Sequence, residues 1–194
     1  MYQRIICGLI LLIIGVTMFY TLYRLKANRA RTNISGPGDM IPDFQLSNDL
    51  GEQVTRESLA GKKYALLFYR TDCIYCHAEL EQITELQTKY AGRFIILPVS
   101  LQSPEERLRH GKQPPISYYS GVKQLAGQLR VRAVPTFILV GEDSRIAYGY
   151  SGGRSYQFQE FIIDWFLEGK DMKEGSILKA YEKYQASTSR KQSE

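Results

Sequence analysis

At 194 residues, 44% hydrophobic and 23% charged, the chain has the composition of one ordinary globular domain with appendages, which excludes a fibrous or low-complexity protein. Three cysteines exclude a disulfide-rich framework and leave Cys73 and Cys76 as the one plausible pair, with Cys7 far away in an apolar stretch. The formal net charge of +5 resides in residues 1–38, which hold five Arg or Lys and no Asp or Glu; the remainder is near neutral and gives no support for nucleic-acid binding.

Residues 5–23 run for 19 positions without a charge, enough to cross a bilayer core of roughly 30 Å. No small-x-small cleavage pattern closes that run, which passes straight into Arg24-Leu25-Lys26. Residues 1–25 therefore read as an uncleaved N-terminal transmembrane helix, a single-pass signal-anchor. Arg24, Lys26, Arg29 and Arg31 outnumber Arg4 and the amino terminus, and the positive-inside rule would keep the C-terminal domain in the cytoplasm. A tethered dithiol argues the other way, because disulfides form and persist outside. An extracytoplasmic domain, in a periplasm or on the outer face of the cell membrane, is the reading retained. The basic collar is placed to sit on anionic headgroups.

Residues 26–40 read as a basic linker containing Gly36-Pro37-Gly38. The domain, residues 41–169, opens with the extended segment Ile41-Pro42-Asp43-Phe44-Gln45-Leu46 and a turn at 48–51. An apolar run at 64–69 predicts the first strong strand, and Leu80, Ile83 and Leu86 predict a helix over 76–90. Residues 94–99 form a second continuous apolar run, as in a strand buried on both faces. Ser103-Pro104-Glu105-Glu106 has the pattern of a helix start, with Ser at the N-cap, Pro at N1 and Glu at N3. A further helix is expected over 119–129, then a β-hairpin from 136–140 and 145–150 around a turn at 141–144.

Phe158, Phe161, Ile162, Trp165 and Phe166 recur at helical spacing, with Gly169 to end the helix and Trp165 read as core. Residues 170–194 read as a polar extension with a short helix over 176–185 and a frayed end. Strands alternating with helices, closed by a hairpin and a helix, imply an α/β protein: a three-layer α/β/α sandwich around a mixed central sheet. The cysteines then fall at the C-terminal end of a central strand, where open sheets place their sites.

Cys73-Ile74-Tyr75-Cys76 is a dithiol that can open and close. At a helix N-terminus, unpaired backbone N–H groups and the macrodipole favour a thiolate at Cys73, the reactive form of cysteine. Cys76, one turn on, can resolve a mixed disulfide formed at Cys73. The rival is half of a zinc site, which wants four ligands. Only His77 and His110 add to the cysteines, so no metal and no cofactor is expected. His77 either lends positive charge near the dithiol or is a plain exposed helical residue. About 60 residues after the cysteines stands Val134-Pro135-Thr136-Phe137.

Together these motifs resemble the thioredoxin superfamily and, within it, the membrane-anchored TlpA/ResA-like group. The matching pieces are Pro42-Asp43-Phe44-x-Leu46, Gly61-Lys62, Phe68, Cys73-x-x-Cys76-x-x-Glu79 and Val134-Pro135-Thr136-Phe137, with Gly152 near the glycine that follows the hairpin. The resemblance covers about residues 40–168. It implies a thioredoxin-like fold, a cis Pro135 beside the active-site disulfide, and an extended client chain lying along Val134 and Pro135, with Ile74 and Tyr75 on an exposed rim. It further implies a thiol–disulfide oxidoreductase acting as a reductase on a cysteine-bearing client such as apocytochrome c, re-reduced by a membrane or extracytoplasmic dithiol protein.

The chain departs from the pattern at several places. Asp72 stands where tryptophan is usual, Ile74-Tyr75 lacks the usual proline, and Glu81 replaces another proline. Leu67 occupies the position of the buried Asp of thioredoxins proper. Glu79 is then the candidate to manage the Cys76 proton, with Asp72 the runner-up, although a carboxylate beside Cys73 disfavours its thiolate. A disulfide-forming oxidase or isomerase stays open as an alternative, as does a redox-inactive binding module on the same fold.

Overall fold

The computed structural model of the chain describes residues 15–18, 36–48, 50–109 and 117–191. The chain divides into two compact units, residues 1–33 and 34–194. In the first, residues 15–18 are helical; the rest of the expected anchor over 5–23, Cys7 within it, and His110 lie outside the described residues. Among the described residues no helix is long and apolar enough to cross a membrane.

In the second unit, strands β1 (Gln45–Asn48) and β2 (Gln53–Thr55) form a hairpin, and β3 (Tyr64–Tyr69) leads into helix α1 (Ile74–Lys89). After these come β4 (Ile95–Ser100), α2 (Pro104–Leu108), β5 (Tyr118–Ser120), α3 (Val122–Gln128), β6 (Thr136–Val140), β7 (Ile146–Ser151), α4 (Tyr156–Leu167) and α5 (Glu174–Lys191). The sheet has seven strands among the described residues, in the order β2-β1-β5-β4-β3-β6-β7. β3 lies parallel to β4 and antiparallel to β6, so the sheet is mixed.

The apolar run of β3 explains its central place. All six of its residues are buried, because both faces of the sheet are covered. Ala65, Leu67 and Tyr69 alternate toward a core shared with Leu80, Ile83 and Leu86 of α1 and Phe158, Ile162 and Phe166 of α4. Tyr64, Leu66 and Phe68 point into the opposite core, with Ile41, Phe44, Leu46 and the α3 residues Val122 and Leu125. Helices thus cover both faces, giving the α/β/α sandwich. α2 starts as the sequence indicates: Ser103 Oγ accepts from Glu106 N–H and the Glu106 carboxylate accepts from Ser103 N–H.

Two segments differ from expectation. Residues 119 and 120 are strand rather than helix, because β5 pairs with β4 at Tyr118 and with β1; this non-local pairing overrides the local pattern, and α3 begins only after Gly121 in the left-handed region (φ 75°). The C-terminal extension is an 18-residue helix, not a short one. Ile177 is fully buried, and Tyr181 sets its ring 5.0 Å from Phe158 and 5.2 Å from Phe161, with Tyr184 5.4 Å from Phe161. The apolar stripe of α4 is therefore split: Phe158, Ile162 and Phe166 enter the sheet core, while Phe161 and Trp165 stack on each other at 5.5 Å along a half-buried flank beside α5. Trp165 donates its indole N–H to the Asp171 carbonyl rather than sitting fully in the core.

Gly121 is required twice over, by its positive φ and because a Cβ there would collide with the Gln45 carbonyl oxygen. Gly121→Ala should lower the unfolding free energy by about 1–3 kcal/mol in a urea titration; a change within about 0.5 kcal/mol, as for an ordinary surface site, would contradict this.

Candidate active site

β3 delivers the chain to the C-terminal edge of the sheet, where Arg70-Thr71-Asp72 turns it into α1. Cys73 is the N-cap of that helix, in extended conformation (φ −104°, ψ 114°), and its carbonyl accepts from the N–H groups of Cys76 (3.0 Å) and His77 (3.3 Å). Side chains fix the turn from three directions. Gln102 Oε1 accepts from Thr71 N–H (2.5 Å) and Thr71 Oγ–H (3.0 Å). His77 Nε2 lies 2.6 Å from the Thr71 carbonyl oxygen, the geometry of an N–H donating to it. Arg70 donates to both Asp72 carboxylate oxygens, at 2.9 and 2.7 Å. His77 is therefore occupied in holding the turn, and the Asp72 charge is matched by Arg70 rather than directed at the dithiol.

Across from Cys73 is the loop before β6. The Val134–Pro135 peptide is cis, and the Val134 carbonyl accepts from Cys73 Sγ–H at 3.8 Å. Gly152 N–H donates to the Pro135 carbonyl at 2.8 Å, and Thr136 Oγ–H donates to the Ala133 carbonyl at 2.7 Å. The structure thus brings together Cys73, Val134 and Pro135, more than sixty positions apart in the sequence. Ile74 and Tyr75 form an exposed rim, 77% and 70% accessible.

Below the rim the site closes. Cys76 is fully buried, and Glu79, one turn further along α1, is 1% exposed. Among the described residues Glu79 is the one buried carboxylate. Its oxygens accept from the Tyr150 hydroxyl (3.3 Å) and from Arg154 N–H (3.1 Å). The Arg154 guanidinium lies over the rings of Tyr150 (5.4 Å) and Phe158 (5.7 Å), roofing this pocket. Gly153 borders the pocket, where a Cβ would make an ordinary 3.8 Å contact with Glu79 Oε2. Leu67, where thioredoxins proper carry an acid, is buried hydrocarbon.

Burial governs the electrostatics. The Cys76 thiol is pushed up to about 12, first by loss of water and then by its hydrogen bond with Cys73 and the nearby Cys73 and Glu79 charges. Burial also raises Glu79 above its ordinary 4.5, against the opposing pull of the Arg154 N–H and Tyr150 O–H donors. A neutral thiol thus lies one helical turn from a carboxyl held in a dry pocket, an arrangement suited to passing a proton between them. Among the described residues no cluster of three or more His, Cys, Asp or Glu is placed to hold a metal.

Sequence reasoning did not single out Gln102, Tyr150, Arg154 or Gln159. Gln159 alone left a trace: it lies one position after Phe158 and three before Ile162, a polar residue amid the buried face of α4.

The raised Glu79 value has a stability consequence of definite sign. The folded chain holds this proton more tightly than the unfolded chain, so the unfolded state releases it first as pH rises. The contribution of Glu79 to stability is complete below about pH 4.5 and is lost as pH climbs through the folded value. Glu79→Gln, which keeps the shape without the charge, should be more stable than the parent at neutral pH and match it at about pH 4 in urea unfolding. A difference of equal size at both pH values would contradict the assignment.

Comparison with known proteins agrees with this geometry. Residues 50–162 match the thioredoxin-like domain family. Over 162 residues the chain is 28% identical to the thiol-disulfide oxidoreductase ResA of Halalkalibacterium halodurans, covering 80% of this chain and 90% of that protein. It is 27% identical over 107 residues to the thioredoxin-like protein YneN of Bacillus subtilis, covering 55% of this chain and 61% of that one. A solved structure from Chlorobium tepidum, assigned as the thiol:disulfide interchange protein DsbE, superposes with a TM-score of 0.60 at 23% identity, over 68% of this chain and 97% of that one. With its dithiol at a helix start and its fold and relatives in agreement, the chain belongs to the thioredoxin-like family, as a thiol–disulfide oxidoreductase of the TlpA/ResA-like kind.

Proposed function

We propose that this oxidoreductase is tethered to a membrane by residues 5–23, carries its catalytic domain on the extracytoplasmic side, and reduces disulfides in protein clients. The observation that carries the reading is the vertical order of the site: a half-exposed Cys73 at the helix N-cap, a fully buried Cys76 behind it, and a buried Glu79 one turn further on. Cys73, as thiolate, attacks one sulfur of a client disulfide; that S–S bond breaks, and the departing client sulfur leaves as a thiolate that takes up a proton. Cys76 then gives its proton to Glu79 and attacks Cys73, releasing the second client thiolate and closing the Cys73–Cys76 disulfide. Two electrons have moved to the client, and a second dithiol protein, in the membrane or outside it, returns them.

Ile74, Tyr75, Val134 and Pro135 form the client-binding edge in this reading. The apolar rim is exposed beside Cys73, whose thiol meets a backbone carbonyl that an extended chain can use. The clients are proteins with paired cysteines, among them a haem-binding apoprotein of the apocytochrome c kind. Support for the tether is the run of 19 uncharged residues with a basic collar after it.

Insulin reduction tests the chemistry. Cys73→Ser should lose at least about 100-fold in rate, and Cys76→Ser should accumulate a mixed disulfide with client, visible on a non-reducing gel. Full activity in the Cys73 variant would end the proposal. Equilibration with glutathione tests the direction: a potential of about −270 mV marks a reductase, whereas one near about −120 mV would make the protein an oxidase instead.

A further inference from the structure

Gln159 is an anomaly in the wall of the site. It is fully buried on the inward face of α4, and both its Nε2 and Oε1 lack a hydrogen-bond partner. A buried amide left in this state forfeits its hydration with nothing in return, and native structures keep few of them. Yet its amide lies beside both the Glu79 carboxyl and the Tyr150 hydroxyl and favours the charged form of each, short of full hydrogen-bond geometry. The orphaned group therefore faces the carboxyl that the proposed reading uses to take the Cys76 proton.

We infer that Gln159 is a positioning residue for Glu79, a two-way partner whose amide serves the carboxyl in both of its protonation states. The inference rests on the proton exchange proposed above. A primary amide carries donors at one end and an acceptor at the other. When Glu79 is ionised, Gln159 Nε2–H donates to it beside Arg154 N–H and Tyr150 O–H. When Glu79 has taken the Cys76 proton, its new O–H donates to Gln159 Oε1, after a turn of the amide about its terminal bond. In either state the Glu79 carboxyl then has the amide as a partner, in a pocket where an unpartnered charge is expensive.

The groups that face Glu79 are few. Cys76 comes from α1, Tyr150 from β7, Arg154 from the segment after β7, and Gln159 from α4. Tyr150 is held far above its ordinary 10.0, chiefly by burial, so it stays a neutral donor throughout.

The test is the pH dependence of the resolving step, followed in single turnover as Cys76 displaces client from Cys73. In the parent, one limb of that profile follows Glu79, and Glu79→Gln should remove it. Gln159→Met keeps length and loses both hydrogen-bonding ends. Because the bond to the ionised carboxyl is the stronger of the two, its loss should move the limb upward by about one pH unit, a tenfold change in the ionised-to-neutral ratio of Glu79, and should move nothing in the Glu79→Gln background. In the unmutated protein, the Gln159 side-chain amide resonances should titrate with the same midpoint as that limb. A limb unmoved in Gln159→Met despite a lower melting temperature, or amide resonances that ignore it, would overturn the inference and leave the Glu79 role intact. A limb that survives Glu79→Gln would overturn that role, and the inference with it.

Discussion

A thiol buried away from water cannot become a nucleophile until its proton has somewhere to go. Cys76 is in that position, held neutral by the apolar core that packs around it. Glu79 is the one buried carboxylate among the described residues, a turn away in a pocket equally dry. Two acids in one low-dielectric space cannot both ionise without repulsion, so the charge of Glu79 helps to raise Cys76, after burial and Cys73. Their surroundings set the balance. Arg154 N–H and the Tyr150 hydroxyl steady the carboxylate, while the aromatic packing of Phe158 and Tyr150 beneath the Arg154 guanidinium keeps water out.

The site separates this closed floor from an open rim. Cys73 stands at the helix start, where backbone donors converge, and its neighbours Ile74 and Tyr75 project into solvent. Side chains hold both backbone polar groups of Thr71 in the turn that carries Cys73: Gln102 accepts from its N–H and His77 meets its carbonyl. The turn presents Cys73 Sγ 3.8 Å from the Val134 carbonyl oxygen, with Cys76 one helical turn further on. The fold supplies this by ending the fully buried strand β3 immediately before the turn. The same sheet brings β6 and β7 alongside, and their antiparallel pairing puts Pro135, just before β6, and Tyr150, near the end of β7, at the same edge.

Much of this was legible in the residues. The run at 64–69 announces a strand covered on both faces, and the structure buries every residue of it. The dithiol, the proline at 135 and the glutamate at 79 stand in recognisable order. Other parts were hidden for physical reasons. β5 is three residues long and exists through partners far away in sequence, so no local pattern marks it. α5 presents Ile177, Tyr181 and Tyr184 in an otherwise polar segment, and its apolar face becomes meaningful only when Phe161 lies opposite. The partners of Glu79 lie 71 and 75 positions away in sequence, and nothing local connects them to it. The polar Gln159 in an apolar face was the one accessible sign, visible once α4 is known to turn that face to the sheet.

The proposed proton exchange between Cys76 and Glu79 stands or falls on the state of Glu79 in the reduced protein. Carbon-13 NMR titration of its side-chain carboxyl, with Cys76 followed in the same samples, measures that state directly. The structure predicts that the carboxyl titrates clearly above its ordinary 4.5 and that the Cys76 resonance responds in the same pH range. A carboxyl that titrates at its ordinary value, with Cys76 indifferent to it, would contradict the coupling of the two acids.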